Sequence, residues 1–143
     1  MINEPVVKEV TLNAPASKVW KALTDKNEMR NWYFNIKDFK PKVGYIFKFY
    51  GDIDGKKFPT SCIVKEVEKG KKIAYTWSYD EYPAITTVTF GLIDEGDKTT
   101  VRLTHEGLER IPTEDSNFSR ESHQHGWENI IGSSLKKYVE NES

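Results

Sequence analysis

Between about residue 35 and residue 106 the apolar residues of this chain fall on every second position, and in the segments on either side, about 15–32 and 118–141, on every third or fourth. Successive side chains of a strand leave opposite faces, whereas residues three and four apart share one face of a helix. A chain that changes period twice therefore reads as layers: a sheet with one apolar face, and helices on either side of it in sequence to cover that face. KIAYTWSY (72–79) alternates most regularly, with Ile73, Tyr75, Trp77 and Tyr79 against Ala74, Thr76 and Ser78. YIFKFY (45–50) sets Tyr45, Phe47 and Phe49 on one face. The inward sets of the last two strands are Thr86, Val88, Phe90, Leu92 and Val101, Leu103, His105. IKDFK reads as a further short strand and TSCIVKEVE (60–68) as another, with turns at PKVG, Asp54-Gly55, Gly70 and DEGDK. Short strands joined by tight turns predict an antiparallel meander.

Ahead of the meander, VVKEVTLN (6–13) alternates as a half-buried strand with Val6, Val10 and Leu12 on one side. Two short helices follow. Pro15 suits the first helical turn, and Val19, Trp20 and Leu23 recur at helical spacing. Asp25-Lys-Asn-Glu28 reads as a capping box opening the second helix, which carries Met29 and Trp32. The period returns to 3.6 over roughly 118 to 141. One stripe there holds Trp127, Ile130, Ile131, Leu135 and Tyr138 with Ser134 among them, and Gly126, Asn129, Lys136, Lys137 and Glu140 lie opposite. That stripe needs an apolar partner, and the aromatic face of the sheet is the large one on offer.

Two of the three histidines stand in SHQHGWENI (122–130). His123 precedes Trp127 by four residues and points with it toward the sheet, whereas His125 precedes it by two and points to solvent. A helical His-x-His cannot bring both rings to one metal, and His105 with His123 would make only two ligands. No metal site is expected. GDIDGKK lacks the spacing of a phosphate loop, and Asp52-Ile-Asp54-Gly55 has Ile63 where a calcium loop closes with Glu. Cys62 has no base beside it in the pattern and reads as a buried structural thiol. His105 and Glu106 are strand neighbours whose side chains leave opposite faces, so they form no catalytic pair.

Charge narrows the partners. The chain has 21 Lys and Arg against 22 Asp and Glu, without the basic excess with which nucleic-acid binders neutralise phosphate. The lysines Lys56, Lys57, Lys69, Lys71 and Lys72 read as solvated turns. MINEPVVKE has neither the basic nor the apolar region of a signal peptide, no window is apolar over the length of a membrane span, and Cys62 is alone. These features predict a cytoplasmic protein of one domain, residues 1–143.

Four words of this sequence stand in a known order: VTLNAPASKVWKALTDKNEMRNW, KKIAYTW, TTVRLTHEGL and HQHGWENIIGSSLKKYVE. Together they resemble the START-like (SRPBCC) superfamily, and within it the branch named after the activator of the heat shock protein 90 ATPase. The resemblance spans nearly the whole chain. It implies an α+β helix-grip fold: a curved seven-stranded antiparallel sheet wrapped around a long C-terminal helix, with two short helices between the first and second strands. It also implies a cavity for hydrophobic molecules between sheet and helix. The matching lining positions are Trp32, Phe47, Phe49, Tyr75, Trp77, Tyr79, His105, His123, Trp127 and Ile131.

Three functional readings follow. The first is binding of a small lipid-like or aromatic ligand without a cofactor, by a monomer or weak homodimer; inward aromatics with a few polar tips are the make-up of such a pocket. The second is a co-chaperone-like protein of the stress response that stimulates a chaperone ATPase. The eukaryotic activator carries a further chaperone-binding domain for which 143 residues leave no room. The third, ranked with the second behind binding, is a cavity enzyme of cyclase or hydrolase type with His105 or His123 as general acid or base.

Overall fold

The computed structural model describes residues 5–34, 36–53, 56–82, 84–111 and 119–141, and its layers follow the two changes of period. The order is β1 (Val6–Leu12), α1 (Ala16–Thr24), α2 (Lys26–Trp32), β2 (Ile46–Ile53), β3 (Lys56–Glu68), β4 (Lys72–Tyr79), β5 (Thr86–Asp94) and β6 (Thr99–Glu106). A 3-10 turn (Leu108–Arg110) follows. The closing helix is continuous from α3 (Arg120–Asn129) through a π-helical segment (Ile130–Leu135) into α4 (Lys136–Asn141). The strands form one antiparallel sheet in the order β1-β6-β5-β4-β3-β2. Sequential strands pair except that β1 closes onto β6, with Val6 opposite His105 and Leu12 opposite Thr99.

The sheet has six strands where seven were expected. The missing one is IKDFK. Ile36 and Phe39 are buried as that reading requires, but no ladder forms. The Arg30 guanidinium takes the carbonyl of Ile36 at 2.7 Å and that of Lys37, two acceptors a neighbouring strand would need. The expected turn at Asp54-Gly55 lies outside the described residues.

The inward faces are buried as the alternation requires, although Ala74 and Thr76 on the opposite face of β4 are buried too. Tyr75, Trp77, Tyr79, Phe47, Phe49 and Phe90 all turn inward and are buried. In β3 the pairing slips between Val64 and Glu66, a bulge that helps bend the strand around the core. Asp25 caps α2 by accepting from the Asn27 amide at 2.8 Å, but the reciprocal half of the capping box is not made. Glu28 instead meets Lys21 and the Tyr138 hydroxyl, tying α2 to the closing helix.

The closing helix lies across the concave face and is pinned to the first strand. Lys8 pairs with Glu128, Glu140 accepts from the Asn13 amide, and Arg120 donates to the Pro5 carbonyl. Its buried residues are His123, Trp127, Ile131, Leu135 and Val139, one every four positions. The expected stripe differs at its far end: Ser134 is exposed, Ile130 and Tyr138 are half-buried, and Val139 takes the inward place. The π-helical turn explains the shift. Its i→i+5 bonding rotates the chain less per residue than an α-helix, so a four-residue repeat stays on one face. Among the described residues, no helix is long and apolar enough to cross a membrane.

Candidate functional site

The concave face of the sheet is a layer of rings, and the helix lowers Trp127 onto it. The Trp127 centroid lies 5.2 Å from that of Trp77, 5.9 Å from His105 and 6.0 Å from Phe90, each edge to face. Tyr33 and Phe34, just beyond α2, enter the same layer. Phe34 stacks on Phe49 at 4.3 Å, and the Tyr33 hydroxyl meets that of Tyr75 at 2.7 Å. Burial pushes both of those hydroxyl pKa values well up, so the pair stays neutral at all ordinary pH.

A cleft of about 110 Å³ lies at one end of the layer, partly open to solvent. It is lined by Phe34, Gly51, Phe58, Trp77, Tyr79, Ser122, His123, Gly126, Trp127 and Ile130. None of these described lining residues is charged at neutral pH. Of the ten expected lining residues, Trp77, Tyr79, His123 and Trp127 meet at this cleft. His105 lies beneath it, fully buried and 5.3 Å from His123 between centroids. Tyr75 and Ile131 are core residues outside this wall, whereas Phe47 and Phe49, also buried, border a second groove of about 520 Å³ with Lys37, Asp38, Tyr45 and Asp80. Trp32 is also core, its indole N–H donating to the Ala22 carbonyl at 2.8 Å.

The missed lining residues had signals of different strength. Phe58 continues the Thr60, Cys62, Val64 alternation back by one step, but GKKF reads as a turn tip. Phe34 directly follows Tyr33 in a segment with no period, and Gly126 has no side chain to register in a pattern. Ile130 belongs to the apolar stripe, and only the phase of the helix end decides whether it meets core or cleft.

The polar groups here settle their own protonation. The Trp127 indole can only donate, and it donates to His105 Nδ1 at 3.0 Å. His105 must therefore be neutral with its proton on Nε2, which donates to Thr86 Oγ1 at 2.7 Å. The Thr86 hydroxyl passes its own proton to the Trp77 carbonyl at 2.7 Å. Every partner in that relay is satisfied and both imidazole nitrogens are committed. Burial holds the His105 pKa well below the usual histidine range, helped by repulsion from His123.

His123 has the opposite tautomer. Its Nδ1 donates to the Ser119 carbonyl at 2.8 Å, so Nε2 accepts from the Tyr79 hydroxyl at 2.7 Å. Burial lowers its pKa, opposed in part by the Ser119 carbonyl. Burial raises that of Tyr79, against a smaller lowering by the indole N–H of Trp77. No group among the described residues accepts that N–H in full hydrogen-bond geometry, although it lies close enough to the Tyr79 hydroxyl to lower its pKa.

Cys62 is fully buried, its thiol pKa raised by burial. Among the described residues no three His, Cys, Asp or Glu side chains are grouped to share a metal ion. His125 is exposed, 4.0 Å from Glu128. His125→Ala should change stability by less than about 0.5 kcal/mol in a denaturant titration, whereas a larger loss would mean that the helix face is wrongly phased.

Comparison with known proteins fits this geometry. The structure is similar to protein MLL2253 from Mesorhizobium loti, with a TM-score of 0.80 and 27% identity over 97% of this chain and 98% of that one. It is also similar in fold to the Aha1 dimer from Colwellia psychrerythraea, with a TM-score of 0.75 and 22% identity over 98% and 97% of the two chains. A third likeness is to DynU16, a protein of the dynemicin biosynthetic locus, with a TM-score of 0.79 and 20% identity. There the match covers 97% of this chain but 48% of the other, so this chain spans about half of DynU16. Comparison with curated proteins returns no match. The profile described as activator of Hsp90 ATPase homolog 1-like protein matches residues 13–140, and the chain belongs to that family.

Proposed function

We propose that the protein binds a small hydrophobic ligand, seating one ring or short alkyl group of it in the cleft between β4 and the closing helix. The observation that carries this reading is the cleft wall, built of Phe34, Phe58, Trp77, Trp127 and Ile130 with few polar atoms. Size limits what enters. A dry apolar cavity of about 150 Å³ takes one benzene, so about 110 Å³ admits no more than a single ring while the rest of a larger ligand lies over the open side. The commitment of both His105 nitrogens supports binding over acid–base catalysis. For a chaperone partner the support is the family's name alone.

Gly126 supplies the test. A Cβ built there meets nothing within 4 Å, and the residue lines the cleft from mid-helix. Gly126→Ala should stabilise the protein by roughly 0.5–1 kcal/mol through helix propensity alone. Gly126→Leu should leave the fold intact and fill the cleft. Titration with the neutral fluorophore N-phenyl-1-naphthylamine should show saturable binding to the parent and Gly126→Ala, and none to Gly126→Leu. Equal binding by Gly126→Leu would place the ligand elsewhere.

A further inference from the structure

Trp77 is only 4% exposed, forms part of the cleft wall, and holds an indole N–H that no group among the described residues accepts. The neighbouring donors are differently placed. The Tyr79 proton is engaged by His123 and the Trp127 proton by His105. Leaving a buried donor unmet is unfavourable by an amount comparable to a lost hydrogen bond, and native structures seldom retain one without a use. Among the described residues the wall contains no Lys, Arg, Asp or Glu, and burial favours the neutral form of His123.

Resting on the binding reading above, we infer that the ligand is a neutral molecule carrying a carbonyl-type acceptor on its ring or alkyl group, and that Trp77 Nε1 is the donor that selects it. Two chemistries are thereby disfavoured. A pure hydrocarbon fills the space but leaves the N–H unmet. A carboxylate meets the N–H but must shed its water beside walls in which no described residue offers a cation to compensate. The discrimination is asymmetric, because leaving a polar wall group unpaired is more unfavourable than an extra apolar touch is favourable.

Three probes of nearly equal shape separate these outcomes: acetophenone, ethylbenzene and benzoate. Acetophenone should bind about five- to tenfold more tightly than ethylbenzene, the factor set by one hydrogen bond to a buried donor. Benzoate should bind more weakly than acetophenone by at least roughly tenfold. In ¹H–¹⁵N spectra the Trp77 indole proton, identified by its loss in Trp77→Phe, should move downfield with acetophenone and not with ethylbenzene. Where Trp77→Phe folds, the preference for acetophenone over ethylbenzene should vanish. Because the ligand series and the indole shift are read on the parent protein, a variant that fails to fold does not remove the test. Equal binding of acetophenone and ethylbenzene, an unmoved indole proton, or tightest binding of benzoate overturns the inference while leaving the apolar cleft standing. Failure of all three to bind removes the cleft reading and this inference with it.

Discussion

Trp127→Ala should lose about 4–5 kcal/mol of folding stability, at the upper end for deletion of a buried aromatic ring. Two effects add. The indole is 2% exposed and touches Trp77, Phe90, His105 and Tyr33, so its removal opens a hole between layers that cannot close without moving the helix. It is also the donor to His105 Nδ1, and its loss strands an acceptor in the fully buried relay through Thr86 to the Trp77 carbonyl. Trp127→Phe separates the two, since it keeps most of the ring and discards the N–H. It should lose about 1–3 kcal/mol, the range for orphaning one buried polar group. Urea titration of both variants measures the split. A loss below about 1 kcal/mol for Trp127→Ala would show that the helix does not carry its tryptophan into the sheet.

The reason this residue could be picked out from sequence is that period alone decides faces. Alternation placed Tyr75, Trp77, Tyr79, Val88, Phe90, Leu103 and His105 inward, and a step of four placed His123 with Trp127. What the pattern could not contain is equally specific. IKDFK alternates as a strand does, but the Arg30 side chain takes two of its carbonyls, an interaction between an exposed helix residue and a loop that leaves no trace in hydrophobicity. Tyr33 and Phe34 follow a helix without continuing its period, so nothing signalled that they would enter the ring layer. The π-helical turn at Ile130–Leu135 moved Val139 inward and Ser134 outward, a change of phase invisible to a fixed 100° step. The same causes limited the site. The four residues on regular elements, Trp77, Tyr79, His123 and Trp127, were legible, whereas Phe34, Gly51 and Gly126 depend on where irregular chain and missing side chains leave space.

The stability of the fold should fall steeply on mild acidification. His105 and His123 both have pKa values below the unfolded value in the native state, through burial in each case. The unfolded chain binds these protons from about pH 6.5 downward while the native chain does not, so below that pH the unfolded state carries more protons and gains stability. The contribution of the pair is thus full above about pH 6.5 and is lost as pH falls, each histidine giving up about 1.4 kcal/mol per pH unit until its own native pKa is reached. Geometry says why the native state resists. Proton addition to His105 at Nδ1 sets it against the Trp127 N–H, and proton addition to His123 at Nε2 evicts the Tyr79 proton from its acceptor. His105→Gln retains an acceptor for Trp127 and removes one titrating group, so it should shallow the slope by about half. Urea midpoints at pH 7.5, 6 and 5 for the parent and this variant measure both slopes. A parent whose midpoint stays level across that range would mean that water or a rearranged partner already receives those protons, and that the buried relay described here is not the state populated in solution.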